Sequence, residues 1–421
     1  MDTCTNSTTG LYLLVAHFLW FRLYQLTRAA LERRSSSSST SEGDAHVGKG
    51  GGDDLRHTNS SEGAKSVSTN PVMIGPRGCG GANNNNKKFV RLFDMNAKVP
   101  LADAPSSTDP RAELQRLFDK IDVFIFDCDG VIWKGDTLIE GAADALDYLR
   151  SIGKKVLFMT NNSSKSRLGF LKKFTSLGVT ASEEEVFSSS FAVVVYLQKH
   201  PPPLLLPMAI GGTGLDTRKE ELVYVIGLSG IIEELASAGI RYIGGPDDDN
   251  KSVFINVADK KTLHPVVHDP NVTSVVVGLD TNINFYKIQY AQLCLNTNEN
   301  CKFIATNMDK IAHLTKDQEW ADGGAAVGCI AGSTDRVPMV VGKPSSVIID
   351  HILEKYQLSK SRICMVGDRL DTDVVFGRDN GLITILTLSG VTSEKLLFSA
   401  ENKIIPNYYT DSIADFLLHK K

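Results

Sequence analysis

The amino-acid sequence predicts an α/β protein with a doubly wound parallel-sheet core and a second α/β domain inserted into it. Short apolar runs rich in β-branched and aromatic residues alternate with helical segments, which is typical of parallel strands covered by helices on both faces. A proline-rich stretch at residues 200–207 interrupts this alternation, because proline does not continue a helix. A separate set of strands then follows, after which the first alternation resumes.

The predicted core lies on both sides of the insertion. In chain order it has a helix at 112–119, a strand at 123–126, a helix at 142–152, a strand at 156–159, helices at 167–177 and 191–198, a strand at 339–341, a helix at 345–355, and strands at 363–366 and 384–386. The inserted domain is predicted to have strands at 223–226, 253–257, 275–277 and 303–305, and a loop at 244–250. The chain therefore divides into an extension at 1–110, a core at 111–204 and 337–421, and an inserted domain at 205–336.

The N-terminal extension differs in composition from the rest of the chain. Residues 11–21 form an apolar run that is too short to span a bilayer as a helix. Four arginines and a serine run at 35–39 come next, a pattern that favours a targeting segment. Residues 35–110 are rich in Ser, Gly, Asn and Asp, which predicts disorder. The alternative interpretation is an extension that contains no targeting signal.

Composition argues against several classes of protein. The net charge of −4 over 421 residues does not mark the whole chain as a binder of nucleic acid or of anionic membranes. The seven cysteines are scattered and never form a Cys-x-x-Cys pair. This argues against a disulfide framework and a zinc site, and it fits a reducing compartment.

In an open parallel sheet, ligands bind beyond the carboxyl ends of the strands, so the residues after each core strand are candidates for the site. Asp127 and Asp129 follow the first strand, with Gly130 to turn the chain. Asp127 is the candidate nucleophile toward phosphorus and Asp129 the candidate proton carrier, because a carboxylate nucleophile divides one hydrolysis into two easier steps. A hairpin turn is the alternative interpretation of this Asp-x-Asp-Gly pattern.

Polar residues also follow the next predicted strands of the core. Thr160, Asn161 and Asn162 come after the second strand, where a hydroxyl and backbone N–H groups suit a phosphate oxygen. The alternative is a helix cap, for which these residue types are ordinary choices. Lys343 follows the strand at 339–341, where its ammonium would neutralise the nucleophile and the transferring phosphoryl group. A solvated lysine is the alternative.

Acidic residues follow the strand at 363–366. Asp368 lies where a magnesium ligand is needed, because Mg²⁺ is usually held by one or two carboxylates together with phosphate and water. Asp373 is a candidate for supporting the metal's water ligands or Lys343. An acidic helix N-terminus is the alternative. The four sets of residues would fill complementary roles at the strand ends of one sheet, and this conjunction favours a phosphoryl-transfer site.

Four segments together resemble the four motifs of phosphatases of the haloacid dehalogenase superfamily. They are Phe126-Asp127-Cys128-Asp129-Gly130-Val131-Ile132-Trp133, Thr160-Asn161-Asn162-Ser163, Gly342-Lys343-Pro344-Ser345 and Gly367-Asp368-Arg369-Leu370-Asp371-Thr372-Asp373. The second and fourth are similar to the subgroup that contains phosphoglycolate phosphatase, pyridoxal phosphatase and 4-nitrophenylphosphatase. In that subgroup the inserted domain is a cap over the active site, which agrees with the organisation predicted from the strands.

The resemblance implies roles for several residues of the motifs. Asp127 would form an aspartyl-phosphate and Asp129 would transfer protons. Mg²⁺ would be held by the side chains of Asp127 and Asp368 and by the backbone carbonyl of Asp129. Thr160, Lys343 and backbone N–H groups would stabilise charge on the phosphoryl oxygens.

Further segments, including Tyr286-Lys287-Ile288-Gln289-Tyr290 and Phe303-Ile304-Ala305-Thr306-Asn307, are similar to plant-type phosphoglycolate phosphatases. This implies hydrolysis of 2-phosphoglycolate, with Asn307 and His313 in the stretch that is similar to the family's specificity loop. His313 and the nearby Lys287 are therefore expected to read the substrate's carboxylate, and a surface or structural role is the alternative for each. The insertion at 201–219 departs from plant members, so a broader phosphatase acting on pyridoxal phosphate or 4-nitrophenyl phosphate is the second interpretation.

The resemblance also sets expectations about partners and location. The expected partner is a small phosphorylated metabolite, with no nucleic acid and no stable membrane insertion of the mature protein, and a homodimer would form through the cap. The plastid is the expected compartment, with the mitochondrion and the cytosol as alternatives. An inactive scaffold is disfavoured because the four motifs are intact. A dehalogenase is disfavoured because it needs neither Asp129 nor a metal ligand at Asp368.

Overall fold

The computed structural model describes Arg91 and residues 110–202, 221–253, 265–312 and 318–420. Four predictions fall wholly or mostly outside these residues. They are the targeting segment with the disordered stretch, the insertion at 201–219, the strand at 253–257, and the role of His313. Among the helices that the structure does describe, none combines the length and the apolar character needed to cross a membrane.

The first sheet is entirely parallel, and it contains the predicted core strands on both sides of the insertion. Its strands are β1 (Val123–Phe126), β4 (Lys155–Thr160), β5 (Val186–Ser188), β13 (Ile363–Gly367), β14 (Ile383–Thr387) and β15 (Tyr408–Thr410), in the spatial order β15-β14-β13-β1-β4-β5. A small hairpin, β2 (Trp133–Lys134) and β3 (Thr137–Leu138), follows β1. The central position of β1 brings the residues after it next to those after β4 and β13.

Helices cover both faces of the first sheet, as a doubly wound architecture requires. The alternation of side chains along β1 sends Phe124 and Phe126 into one apolar cluster and Val123 and Ile125 into another. The first cluster is closed by α1 (Pro110–Lys120), α2 (Ala142–Ser151) and α3 (Arg167–Ser176), and the second by α4 (Ser189–Lys199) and α8 (Val347–Tyr356). The two short helices α9 (Val375–Asp379) and α10 (Glu394–Leu397) come later in the chain. The predicted fold class is confirmed.

A second parallel sheet is formed by the chain between α4 and β13. Its strands are β6 (Leu222–Ile226), β7 (Arg241–Gly244), β8 (Ser274–Val277), β9 (Lys302–Ala305) and β12 (Met339–Val340), in the order β12-β9-β8-β6-β7. Its helices are α5 (Ser229–Ser237), α6 (Phe285–Thr297) and α7 (Gly323–Thr334), and the pair β10 (Ile311–Ala312) and β11 (Trp320–Ala321) forms a separate two-stranded sheet. Buried apolar side chains of β6, β8 and β9 pack against α6 and α7.

One predicted strand belongs to a different sheet from the one expected. Residues 339–341 were assigned to the core, but Met339 pairs with Ile304 and Val340 with Ala305 in the second sheet. A two-residue apolar strand has the same local pattern whichever neighbour it pairs with, so the pattern does not identify its sheet. The chain therefore reaches Lys343 from the edge of the second sheet, and only three of the four motifs follow strands of the first sheet.

The remaining predicted elements that lie within the described residues are confirmed with boundary shifts of one or two residues. Strand β5 was not predicted, because its three residues Val186–Ser188 are too few to establish a period before α4 begins. The predicted loop at 244–250 contains a short 3₁₀ helix at Gly245–Asp248.

Candidate active site

Asp127 and Asp129 lie at the carboxyl end of β1. The backbone N–H of Asp127 donates to the carbonyl of Val366 at 2.8 Å and so continues the ladder toward β13. Asp127 is buried, whereas Asp129 is half-buried and accepts a hydrogen bond from the indole Nε1 of Trp133 at 2.8 Å. Because Trp133 is itself fully buried, it fixes the direction of the Asp129 carboxylate.

A glycine is required immediately after these two acids. Gly130 has φ = 87°, and a Cβ there would lie 2.4 Å from Oδ2 of Asp368. The left-handed backbone and the close approach both exclude a larger residue. The turn that the Asp-Gly pair predicts is therefore present, and it also brings the β1 loop against the loop that follows β13.

Lys343 makes a direct ion pair with the candidate nucleophile. Its Nζ donates to a carboxylate oxygen of Asp127, to Oδ1 of Asp373 at 2.7 Å and to the backbone carbonyl of Met159 at 3.1 Å. These three bonds use all three donors of the ammonium. Burial alone would lower the pKa of Lys343, but the carboxylates of Asp127 and Asp373 raise it above the ordinary lysine value. The ammonium therefore stays charged in a buried site.

Three buried carboxylates converge on one point. Ligand atoms of Asp127, Asp368 and Asp373 lie within 4.8 Å of one another. Burial raises the pKa of Asp127 well above the ordinary value, and burial together with Asp373 raises the pKa of Asp368 to about 7. Three carboxylates and one ammonium carry two net negative charges when all are ionised, and a divalent cation would balance them.

The environment of Asp368 fits a metal ligand. Its Oδ2 accepts the backbone N–H of Val391 at 2.6 Å, while its Oδ1 is buried and has no hydrogen-bond partner within the part of the chain that the structure describes. Such an oxygen is costly unless a cation or water satisfies it. Asp373 differs from Asp368 in its hydrogen bonding, because its Oδ2 accepts the backbone N–H groups of Asp368 at 3.2 Å and of Arg369 at 3.0 Å. Asp373 thus shapes the β13 loop and holds Lys343.

The phosphate-binding candidates form a tight loop after β4. The Thr160 hydroxyl accepts the N–H of Asn162 at 3.1 Å, and Oδ1 of Asn162 accepts the N–H of Ser164 at 2.9 Å. Asn161 instead forms an amide pair with the backbone of Lys343: Oδ1 accepts its N–H at 2.8 Å and Nδ2 donates to its carbonyl at 3.1 Å. Asn161 therefore joins two motifs that are far apart in the sequence.

The second sheet contributes the loop after β9. Asn307 is fully buried, and its Nδ2 donates to the backbone carbonyl of Asn161 at 2.8 Å. The Asn307 Oδ1 accepts the N–H of Asp309 at 3.0 Å, so the amide makes contacts on both sides. Its role in substrate binding stays a prediction, as does that of His313, which lies outside the described residues.

Lys287 lies in a buried ion cluster of the second sheet. Its side chain is fully buried, and Nζ donates to Oδ1 of Asp249 at 2.6 Å and to Oδ2 of Asp280 at 2.7 Å. The ammonium is engaged by two carboxylates, as the structural alternative requires. This corrects the expectation that Lys287 reads a substrate carboxylate.

Two parts of the site are not among the contacts predicted from the sequence. The loop after β14 supplies the N–H of Val391 to Asp368, and a Cβ on Gly390 would lie 1.9 Å from Asp368 Oδ2. The sequence does contain an indication of this loop, because a Ser-Gly pair follows a core strand and small residues permit a close approach of the backbone. The second omission is the ionic contact of Arg369 with Asp309, with Nη2 and Oδ1 3.8 Å apart. No local pattern identifies that pair, because its members lie 60 residues apart, in loops that follow strands of different sheets.

Comparison with known proteins gives consistent matches over both parts of the chain. The model of haloacid dehalogenase-like hydrolases matches residues 124–241, and a second model of HAD-like hydrolases matches residues 340–416. Phosphoglycolate phosphatase 1A, chloroplastic, from Arabidopsis thaliana is 49% identical over 328 residues, which cover 76% of this chain and 85% of that protein. Phosphoglycolate phosphatase 2 from the same plant is 48% identical and covers 73% of this chain and 95% of its own length.

A solved structure also matches. The 4-nitrophenylphosphatase of Thermotoga maritima aligns with a TM-score of 0.57 at 26% identity, covering 72% of this chain and 98% of that one.

Proposed function

The chain belongs to the haloacid dehalogenase-like hydrolases, and on this premise we propose that it hydrolyses phosphomonoesters through an aspartyl-phosphate on Asp127. The contact of the Asp127 carboxylate with the Lys343 ammonium, inside a buried carboxylate cluster, is the observation that carries the proposal. Phosphoryl transfer needs a positioned nucleophile and positive charge next to it, and this pair supplies both.

The proposed reaction has two steps. In the first, an oxygen of Asp127 bonds to phosphorus while the ester oxygen leaves and takes a proton from Asp129. In the second, Asp129 takes a proton from water, the water oxygen bonds to phosphorus, and the bond to Asp127 breaks. The half-buried position of Asp129 and its hydrogen bond to Trp133 support this role, because they hold the acid in place at the edge of the site.

Charge on the phosphoryl oxygens would be stabilised by groups that are already fixed. Lys343 provides the buried ammonium, and the Thr160 hydroxyl with backbone N–H groups near Cys128 and Asn161 provides donors. The N–H of Asn162 already donates to the Thr160 hydroxyl, so Asn162 would hold that hydroxyl in place. These groups are ordered by hydrogen bonds within the loop, so little reorganisation is needed when charge develops.

We propose Mg²⁺ as the cofactor. The side chains of Asp127 and Asp368 and the backbone carbonyl of Asp129 would hold it, and the buried, unpartnered Oδ1 of Asp368 among the described residues supports this site. When bound, the ion supplies positive charge to the phosphoryl oxygens. Asp373 would hold Lys343 and the β13 loop, since its oxygens are already engaged there.

We propose 2-phosphoglycolate as the substrate, because two plant relatives that are nearly half identical to this chain bear the name phosphoglycolate phosphatase. Asn307 and His313 remain the proposed contacts to the rest of the substrate. The alternative is a broader phosphatase that acts on pyridoxal phosphate or 4-nitrophenyl phosphate. The structural match to a 4-nitrophenylphosphatase supports this alternative.

A substrate panel on the full-length chain separates these two functions. We expect kcat/KM for 2-phosphoglycolate to exceed that for pyridoxal phosphate and 4-nitrophenyl phosphate by at least about tenfold, or about 1.4 kcal/mol of transition-state discrimination. Comparable values for all three would favour the broader phosphatase.

A trapping experiment tests the proposed chemistry itself. Acid quenching during turnover of ³²P-labelled substrate is expected to leave label on the peptide that contains Asp127. Asp127→Asn should abolish the label and lower kcat by at least about 10³-fold. Asp371→Asn is the matched control, because it changes an exposed acid in the fourth motif and should retain both label and turnover. Hydrolysis by Asp127→Asn at a rate near wild type would end the proposal.

Domain limits, compartment and partners also belong to this proposal. The sequence predicts a core at 111–204 and 337–421 and a cap at 205–336, but β12 pairs in the second sheet, so we propose that the cap extends to residue 340 and that the core resumes at 341. We also propose a cap-mediated homodimer and a small phosphorylated metabolite as partners. The plastid is the proposed compartment, since one of the relatives is named chloroplastic. Sequencing the N-terminus of the mature protein from its source tissue would test the address, and light scattering would test the dimer.

A further inference from the structure

The loop after β9 contacts the catalytic loops of the first sheet through one carboxylate. Oδ2 of Asp309 accepts a hydrogen bond from Nδ2 of Asn161 at 3.0 Å, and its Oδ1 lies 3.8 Å from Nη2 of Arg369. The Asp309 side chain is 12% exposed, so these contacts are largely shielded from water. Asp309 thus joins the second sheet to the loops after β4 and β13.

Asn161 carries this contact directly to Lys343. The Asn161 amide that donates to Asp309 also forms both hydrogen bonds with the backbone of Lys343. Lys343 in turn contacts the carboxylate of Asp127 through Nζ. A continuous series of hydrogen bonds therefore runs from Asp309 through Asn161 and Lys343 to the nucleophile.

The backbone of Asp309 is fixed independently of its side chain. Its N–H donates to Asn307 Oδ1 at 3.0 Å, and its carbonyl accepts the N–H of Gly324 at 3.0 Å. A Cβ on Gly324 would lie 2.7 Å from that carbonyl oxygen, so α7 packs directly against the loop. The carboxylate is therefore presented to Asn161 from a rigid support, which is what precise positioning requires.

Arg369 does not depend on Asp309 for its own position. Its Nε and Nη2 donate to the two oxygens of Asp371 at 3.2 and 3.0 Å, whereas its distance to Asp309 exceeds that of a hydrogen bond. The stronger directional contact of Asp309 is thus the one to Asn161.

We propose that Asp309 is a positioning residue for the reaction: by accepting the Asn161 amide hydrogen bond, it aligns Lys343 with Asp127. This inference rests on the proposed phosphatase function and adds to it a residue outside the four motifs. Asp309 acts through Asn161 and does not touch the reacting atoms.

Variants of nearly equal shape test the proposal in the full-length protein. Asp309→Asn keeps an oxygen that accepts the Asn161 hydrogen bond, whereas Asp309→Leu has the same branching without an acceptor. We expect Asp309→Leu to lower kcat by at least about tenfold with KM changed by less than about threefold, because small misplacements near the reacting groups are costly. Asp309→Asn should retain kcat within about threefold. The control Asp379→Ala removes an exposed acid of α9 that contacts Arg378 outside the four motifs, and it should leave kcat near wild type.

Thermal unfolding separates positioning from stability. We expect Tm of Asp309→Leu to stay within about 3 °C of wild type, and Asp309→Ala serves if the leucine variant does not fold. The proposal is overturned if the variant without an acceptor keeps its kcat, or if Asp309→Asn loses as much kcat as Asp309→Leu. If the wild-type protein hydrolyses neither 2-phosphoglycolate nor 4-nitrophenyl phosphate, the proposed function itself has failed. Active wild type together with fully active Asp309→Leu would refute only the positioning role.

Discussion

Lys343→Met removes an ammonium from a site where water cannot take its place. The Lys343 side chain is 2% exposed, and its partners Asp127 and Asp373 are 10% and 1% exposed. Breaking a buried ion pair by removing one member costs about 3–5 kcal/mol, because the remaining charge is left buried and unpaired. We therefore expect a large fall in Tm together with a loss of kcat of at least about 10²-fold, as for the removal of a group that stabilises transition-state charge.

Lys287→Met is a matched control within the same chain. Lys287 is also buried and also contacts two carboxylates, Asp249 and Asp280, but it lies on α6, and neither carboxylate is a proposed catalytic residue. Comparing the two variants therefore separates the general effect of losing a buried ammonium on stability from the specific effect of losing Lys343 on catalysis. We expect a fall in Tm of similar size, with kcat of the folded protein within about threefold of wild type.

The pH dependence of the destabilisation gives a sharper test. Burial already raises the pKa of Asp127, and Lys343→Met removes the charge that opposes this rise. A carboxyl whose pKa is raised on folding stabilises the fold at low pH, and that contribution is lost as the pH rises through the folded-state pKa. The difference in Tm between wild type and Lys343→Met should therefore be larger at about pH 8 than at about pH 5.

Thermal unfolding in metal-free buffer at both pH values measures these differences, and steady-state kinetics with excess Mg²⁺ measures kcat. The reasoning is refuted if Lys343→Met is as stable as wild type at both pH values. It is also refuted if Lys287→Met loses as much activity per folded molecule as Lys343→Met.

Three further predictions concern the metal site and the N-terminal side of the chain. Because the pKa of Asp368 is raised to about 7, protons compete with the cation for this carboxylate. The Mg²⁺ affinity measured by calorimetry should therefore rise between about pH 5.5 and pH 8. A constant affinity would contradict this. Gly390→Ala places a Cβ 1.9 Å from Asp368 Oδ2 and should weaken Mg²⁺ binding by about tenfold or more, whereas Gly328→Ala meets nothing within 4 Å and should not. Arg91→Ala removes hydrogen bonds of 2.8 and 2.7 Å to Asp411 and should lower Tm by about 1–3 °C, and an unchanged Tm would show that this exposed pair contributes nothing.

Local sequence pattern identified the strands that lead into the site and the main chemical groups. Asp127 and Asp368 were predicted at the ends of β1 and β13, and both lie there. This works because a short buried strand leaves a recognisable apolar run, and because ligands collect at the carboxyl ends of parallel strands. Lys343 was also identified, although the strand before it pairs in the second sheet.

Which partner each polar group has depends on contacts between distant segments of the chain. The α/β class, the insertion and the residue types able to attack phosphorus or bind a cation could all be inferred from the amino-acid sequence. Three contacts are visible only in the folded structure. Lys287 lies in a buried ion cluster, Asp373 holds Lys343, and Asp309 contacts Asn161 from the loop after β9. Periodicity describes residues that are close along the chain. The partner of a buried charge is set by contacts between distant segments, such as Asn161 and Asp309, which are 148 residues apart. No local pattern predicts such contacts.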